Sequence, residues 1–161
     1  MTHSTHNRVS AVILLAKSGG ALLQHRDNKP GIHFANMWGF PGGQCHEGED
    51  FAVCARREFR EETGCDCRSL QWLTKMQVTI PETGLLYEMA VFWDLYDGVQ
   101  KIVCFEGQEM RFIERKNVSQ YAIPDHLIPL WDSALSRTGI NPRRTCKPDE
   151  TLDAIVKEKK S

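Results

Sequence analysis

The chain has 161 residues, a length that fits one domain with a sizeable core. Its 20 basic and 21 acidic residues leave a net charge of -1. No global field therefore draws it to nucleic acid or an anionic membrane, and an anionic ligand has to be met by local charges or a metal.

Residues 1–6, with His3 and His6, read as a disordered start. Arg8 to Lys17 is rich in Val, Ile and Leu and reads as a buried strand. Ser18-Gly19-Gly20 is a turn signal, and Ala21 to Arg26 returns as the second strand of a hairpin. Asp27 to Trp38 reads as a loop, and Pro41-Gly42-Gly43 continues the irregular backbone. Glu49 to Thr63 is the clearest helix, closed by Gly64 where a C-terminal glycine belongs. Two strands follow, Gln71 to Ile80 and Leu85 to Leu95, joined by the turn Pro81 to Gly84. In the second, Tyr87, Met89, Val91 and Trp93 alternate onto one face. Arg111 to Glu114 reads as a short strand. Pro124 to Ser136 reads as a second helix, with Pro129 marking a kink or a start near Ile128.

The arrangement predicts a single α+β domain over 7–139, followed by a polar tail over 140–161 with a short helix from Leu152 to Lys157. No apolar run approaches the roughly 20 residues that span a bilayer, and the Ala11 to Ala16 run lacks a signal-peptide pattern. A cytoplasmic protein without membrane contact is expected, with its six cysteines reduced. The Cys65-x-Cys67 pair has no second pair or histidine partner to make a zinc site.

The chemistry is concentrated between Gly43 and Cys65. Glu58, Glu61 and Glu62 stand at i, i+3 and i+4, on one face of the expected helix. Three carboxylates so close repel, a divalent cation relieves the repulsion, and hard oxygen ligands suit magnesium, with manganese as the alternative. Ala52, Ala55 and Phe59 form an adjacent apolar stripe that pins the helix to a sheet. Gly42 and Gly43 let the backbone approach and offer a carbonyl, and Arg57 can orient Glu49 through a bidentate pair. The competing reading is a solvated, charge-rich surface helix.

The pattern G-x5-E-x7-R-E-U-x-E-E-x-G-U, with U bulky and apolar, is the signature of the Nudix hydrolases, and this sequence resembles it at every fixed position. Gly43, Glu49, Arg57, Glu58, Glu61, Glu62 and Gly64 fill those positions, Phe59 is the first U, and Cys65 is the one soft departure. Met37 to Gly43 resembles the loop that precedes the motif in that family. The resemblance implies an α/β/α sandwich with a mixed central sheet. It also implies metal-assisted attack of water on a phosphoanhydride bond of a nucleoside diphosphate derivative, such as a nucleoside triphosphate or nucleotide sugar. Carried onto this chain, Glu61, Glu62 and the Gly42 carbonyl become metal ligands, and Glu58 a further ligand or the base. Arg57 joins the catalytic group, and Gly43, Glu49 and Gly64 support its geometry. Glu106 is the expected extra carboxylate, with Glu109 as runner-up. Arg26 is expected to meet a substrate phosphate. Phe34, Trp38 and Phe40 are candidates to stack on a base, against the alternative of core packing. His25, His33 and His46 receive no role. A small-molecule nucleotide is the expected partner, a homodimer is left open, and a non-hydrolytic nucleotide-binding module is the alternative function.

Overall fold

The computed structural model describes residues 7–142 and 155–158. The expected disordered start and most of the polar tail lie outside the described residues. Strand β1 (Arg8–Leu15) is followed by β2 (Ala21–His25), β3 (Trp38–Gly39), β4 (Gly42–Gln44) and helix α1 (Phe51–Thr63). Then come β5 (Gln71–Thr79), β6 (Leu86–Leu95), β7 (Val103–Cys104), β8 (Glu109–Ile113), a 3-10 turn (Arg115–Gln120), α2 (Leu127–Thr138) and β9 (Val156–Lys157).

The central strand is β1. It pairs in parallel with β6 along its whole length, from Arg8 opposite Glu88 to Leu15 opposite Leu95. Its other edge is shared, antiparallel, by β4 at Val9–Ala11 and by β2 at Leu15. The expected hairpin of β1 and β2 is thus a single pairing at the turn, because β4 occupies that edge of β1 at Val9–Ala11. β2 pairs with β8 on one side and with β3 on the other, and β5 closes the sheet beyond β6. The result is a mixed seven-stranded sheet.

Both faces of β1 are covered, which explains its unbroken apolar run. Val12 and Leu14 face α1 in one cluster with Ala55, Phe59, Ala90 and Phe92. Ala11, Ile13 and Leu15 face α2 in the other, with Met89, Val91, Leu130, Trp131 and Ala134. Tyr87, Met89, Val91 and Trp93 all belong to this second side, as their alternation predicts. A sheet between two helices is the expected α/β/α sandwich.

The helix ends carry their signals. Asp50 caps α1, its carboxylate accepting from the Ala52 amide at 2.8 Å. Gly64 closes the helix in the left-handed conformation at φ 75°. α2 begins at Leu127, so Pro129 lies in its first turn, where its missing N–H has no intrahelical partner to lose. At the other end of the chain Val156–Lys157 pairs in parallel with β7 as a strand, in place of the expected helix. Among the described residues, no helix is long and apolar enough to cross a membrane.

Candidate active site

The site forms where α1 lies across β4. Glu62, near the end of α1, is 3% exposed, and its carboxylate accepts from the Gly42 amide at 3.0 Å. Burial pushes its carboxyl well above the usual value, and a hydrogen bond with Glu106 raises it further. Glu58, one turn earlier, is raised by burial against the opposing pull of Arg57. Glu61 points outward, with a side chain 58% exposed. The three carboxylates thus stand at different depths, from buried Glu62 through Glu58 to exposed Glu61.

Arg57 ties the outer part of this group together. Its Nε and Nη2 hold the two oxygens of Glu49 at 2.8 and 2.9 Å. Its Nη1 donates to Glu58 at 2.9 Å and reaches Glu61 at 3.3 Å. The guanidinium holds the Glu49 carboxyl down to about 2 from an ordinary 4.5. The contribution of this pair is therefore fully present above about pH 4.5 and fades as pH falls toward 2. Glu49→Gln, at a side chain 10% exposed, is expected to lose about 2 kcal/mol of stability at neutral pH. In urea unfolding followed across pH, its deficit against the wild type should shrink toward pH 2. A constant deficit would separate Glu49 from the acid sensitivity.

Cys45 and Cys54 lie beside this pair, with one atom of each and one Glu49 oxygen all within 4.8 Å of one another. Both Glu49 oxygens are taken by Arg57, and one also accepts from the His46 amide, so the cluster reads as packing beneath the site. Burial pushes the Cys54 thiol up to about 12. Cys65 and Cys67 are likewise buried free thiols.

Glu106 arrives from the loop between β7 and β8. The Phe105 amide donates to the Glu62 carbonyl at 3.0 Å, and Gln24 donates through Nε2 to the Glu106 carbonyl at 2.9 Å. Gly107 turns with φ 87°, packed so closely that a Cβ would meet Gln24 and the His25 carbonyl at 2.8 Å. Gln108 then returns to the His25 carbonyl through its amide at 2.8 Å. Glu109, the runner-up, pairs instead with Arg111 at 2.6 Å. Gln24 and Gln108 are supports that motif reading missed. The one available signal was an amide in the otherwise apolar run Ala21-Leu22-Leu23-Gln24.

Beside the carboxylates lies a cavity of about 360 Å3, reaching Gly42 and Gly43. Arg26, Phe34 and Phe40 line it. Arg26 also donates from Nε to the His33 carbonyl at 2.7 Å. Trp38 does not line the cavity. It is buried, stacked on its cross-strand partner His25 at 4.7 Å and edged by Tyr121, so the competing core reading describes it.

A mixed sheet between two helices defines a class of fold that is found in known proteins. The NUDIX domain matches residues 5–126, and the chain belongs to the NUDIX family, whose members are generally hydrolases acting on pyrophosphate bonds. No curated protein sequence matches it. Among solved structures it is similar to the MutT protein from Methanosarcina mazei Go1, with TM-score 0.70 and 17% identity over 88% of this chain and 100% of that one. It is also similar to the NUDIX domain of Shewanella oneidensis NrtR complexed with ADP ribose, with TM-score 0.68 and 18% identity over 83% and 88% of the two chains. A C. elegans Ap4A hydrolase in a binary complex gives TM-score 0.68 and 16% identity over 82% and 97%. At these identities the likeness is one of fold.

Proposed function

We propose that the chain hydrolyses a phosphoanhydride bond of a nucleoside diphosphate derivative, with nucleoside triphosphates and nucleotide sugars as the substrate classes. The observation that carries this is the placement of Glu58, Glu62 and Glu106 around the Gly42-Gly43 backbone, at the edge of a cavity also lined by Arg26. Burial first, and the neighbouring carboxylates after it, raise the proton affinity of Glu58 and Glu62, and oxygen donors gathered in this way suit a hard cation. Magnesium, or manganese, fits Glu58, Glu61, Glu62, Glu106 and the Gly42 carbonyl, and when bound it neutralises charge gathering on the phosphate oxygens.

The protein's own groups then have separate tasks. Arg57 holds Glu58 by one oxygen, leaving the other to take a proton from the attacking water. Water adds to one phosphorus as the bridging oxygen leaves with the other, giving two phosphorylated products: a nucleoside monophosphate with a sugar phosphate from a nucleotide sugar, and a nucleotide with phosphate or pyrophosphate from a triphosphate. Arg26 meets a phosphate oxygen at the cavity wall, where a planar guanidinium binds better than an ammonium. Phe40 contributes to the wall on which the rest of the nucleotide lies. The ADP ribose in the NrtR complex and the name of the Ap4A hydrolase support a nucleotide substrate.

The test is a panel of nucleoside triphosphates, nucleotide sugars and dinucleoside polyphosphates with magnesium, read as release of phosphate, pyrophosphate or nucleoside monophosphate. Turnover of at least one class is expected. Binding without turnover of any would assign the chain as a nucleotide-binding module.

A further inference from the structure

Two cavity residues on separate elements meet each other. Phe34, in the loop between β2 and β3, and His126, just before α2, have ring centroids 5.6 Å apart at 49°. Phe34 has φ 53°, in the left-handed region, where a bulky side chain is a conformational outlier. Its neighbour Asn36 is left-handed too, at φ 62°, but asparagine tolerates that region and phenylalanine does not. The loop is held shut around them. The Asn36 amide donates to the Asp27 carbonyl at 3.1 Å, and the Met37 amide to the Phe34 carbonyl at 3.2 Å. Backbone demand alone would place glycine at 34. Residues held in sparsely populated conformations gather at ligand clamps, and this ring reaches the cavity.

The cavity chemistry narrows what Phe34 faces. Phe40, Ile80, Tyr87, Met89 and Leu127 give it an apolar wall, while Gly42 and Gly43 mark the end nearest the carboxylates. A sugar or a phosphate would find few partners on that wall, whereas a flat heterocycle offers it a π-face. His126 is half-buried, and burial keeps its ring below the usual value, hence neutral, with one donor and one acceptor nitrogen for a base edge.

We infer that Phe34 and His126 are specificity-determining residues that grip the nucleobase of the substrate, with its diphosphate extending past Arg26 to Gly42 and Gly43. The inference rests on the reading given under Proposed function and adds which end of the substrate lies in the cavity and which side chains select it.

The test measures affinity for methylene-bridged, non-hydrolysable analogues of ATP, GTP and UTP by titration calorimetry, with methylenediphosphonate as the base-free control. Phe34→Leu keeps apolar volume and removes the π-face, and Phe34→Tyr keeps both. We expect Phe34→Leu to weaken the preferred analogue about tenfold or more. Phe34→Tyr should bind as the wild type does, and the base-free control should be unchanged in both. His126→Ala should alter the ranking of the three analogues. Phe34→Gly relieves the positive φ, so it should lose the same affinity while melting no lower than Phe34→Leu. Wild-type affinity for all three analogues in Phe34→Leu would overturn the inference. So would an equal loss for the base-free control, or a wild-type protein that binds none of the analogues better than that control. A wild type that binds the analogues through Phe34 but hydrolyses no nucleotide would leave this inference standing and remove hydrolysis alone.

Discussion

Glu62→Gln is expected to lower turnover of a nucleotide substrate by a factor on the order of 10² to 10³, while the protein melts no lower than the wild type. The two halves of this expectation have one cause. Burial at 3% exposure and the adjacent Glu106 make the ionised form of Glu62 costly, so its carboxyl is held well above the usual value. A glutamine has the same shape and no charge. Its oxygen can still accept from the Gly42 amide and its nitrogen can donate to Glu106, so the fold loses nothing and sheds a repulsion. The site loses an anionic oxygen donor for the metal. Glu61→Gln should also remove most turnover, but with no change in melting, since its side chain is 58% exposed and pairs with Arg57 at 3.3 Å. Steady-state kinetics at saturating magnesium, paired with thermal melting, reads both. Full magnesium-dependent turnover in either variant would remove that carboxylate from the metal set. A Glu62→Gln protein that melts far below the wild type would make Glu62 a structural group.

What could be read in the sequence depended on how local its cause was. Ala52, Ala55, Phe59 and Gly64 announce α1 because a helix is written in spacings of three and four residues and in its terminal glycine. The same spacing put Glu58, Glu61 and Glu62 on one face, although it could not say that Glu62 would be buried and Glu61 exposed. That depth is set by β4 and the Glu106 loop, which lie elsewhere in the chain. The start of α1 was missed by two residues because Glu49 is engaged by Arg57 while Asp50 does the capping. β4 was invisible since Gly42-Gly43-Gln44 has no strand propensity; it is extended because β1 offers it an edge. The parallel partnership of β1 with β6 joins segments far apart in the chain, and no local pattern encodes it. Val156–Lys157 follows the same logic, its strand dictated by β7. Trp38 could be recognised as a large aromatic, but stacking on His25 rather than on a ligand is decided by cross-strand pairing.

Gly42 and Gly43 adjoin in sequence, yet their replacement by alanine should have opposite consequences. A Cβ on Gly42 would fall inside contact distance of the Ser10 carbonyl oxygen and 2.8 Å from the Ala11 Cα. Both belong to β1, the strand held on one edge by β6 and packed on both faces, so neither can retreat. Gly42→Ala is therefore expected to destabilise the fold by about 3 kcal/mol or more, read as a lower urea midpoint. A Cβ on Gly43 meets a different obstacle, the carboxylate of Glu58, with Glu58 Oε1 2.8 Å away. That obstacle is the end of a flexible side chain and can swing aside. Gly43→Ala should keep nearly wild-type stability, and displacing Glu58 also disturbs the Arg57 contact at 2.9 Å. Turnover should fall about 10- to 100-fold, the range seen when a supporting contact of a metal ligand is lost. The discriminating measurement is the pair taken together. If Gly43→Ala unfolds as readily as Gly42→Ala, the glycines serve packing alone. If it is stable and slow, the absence of a side chain at 43 is what lets Glu58 stand beside the backbone that carries the Gly42 carbonyl.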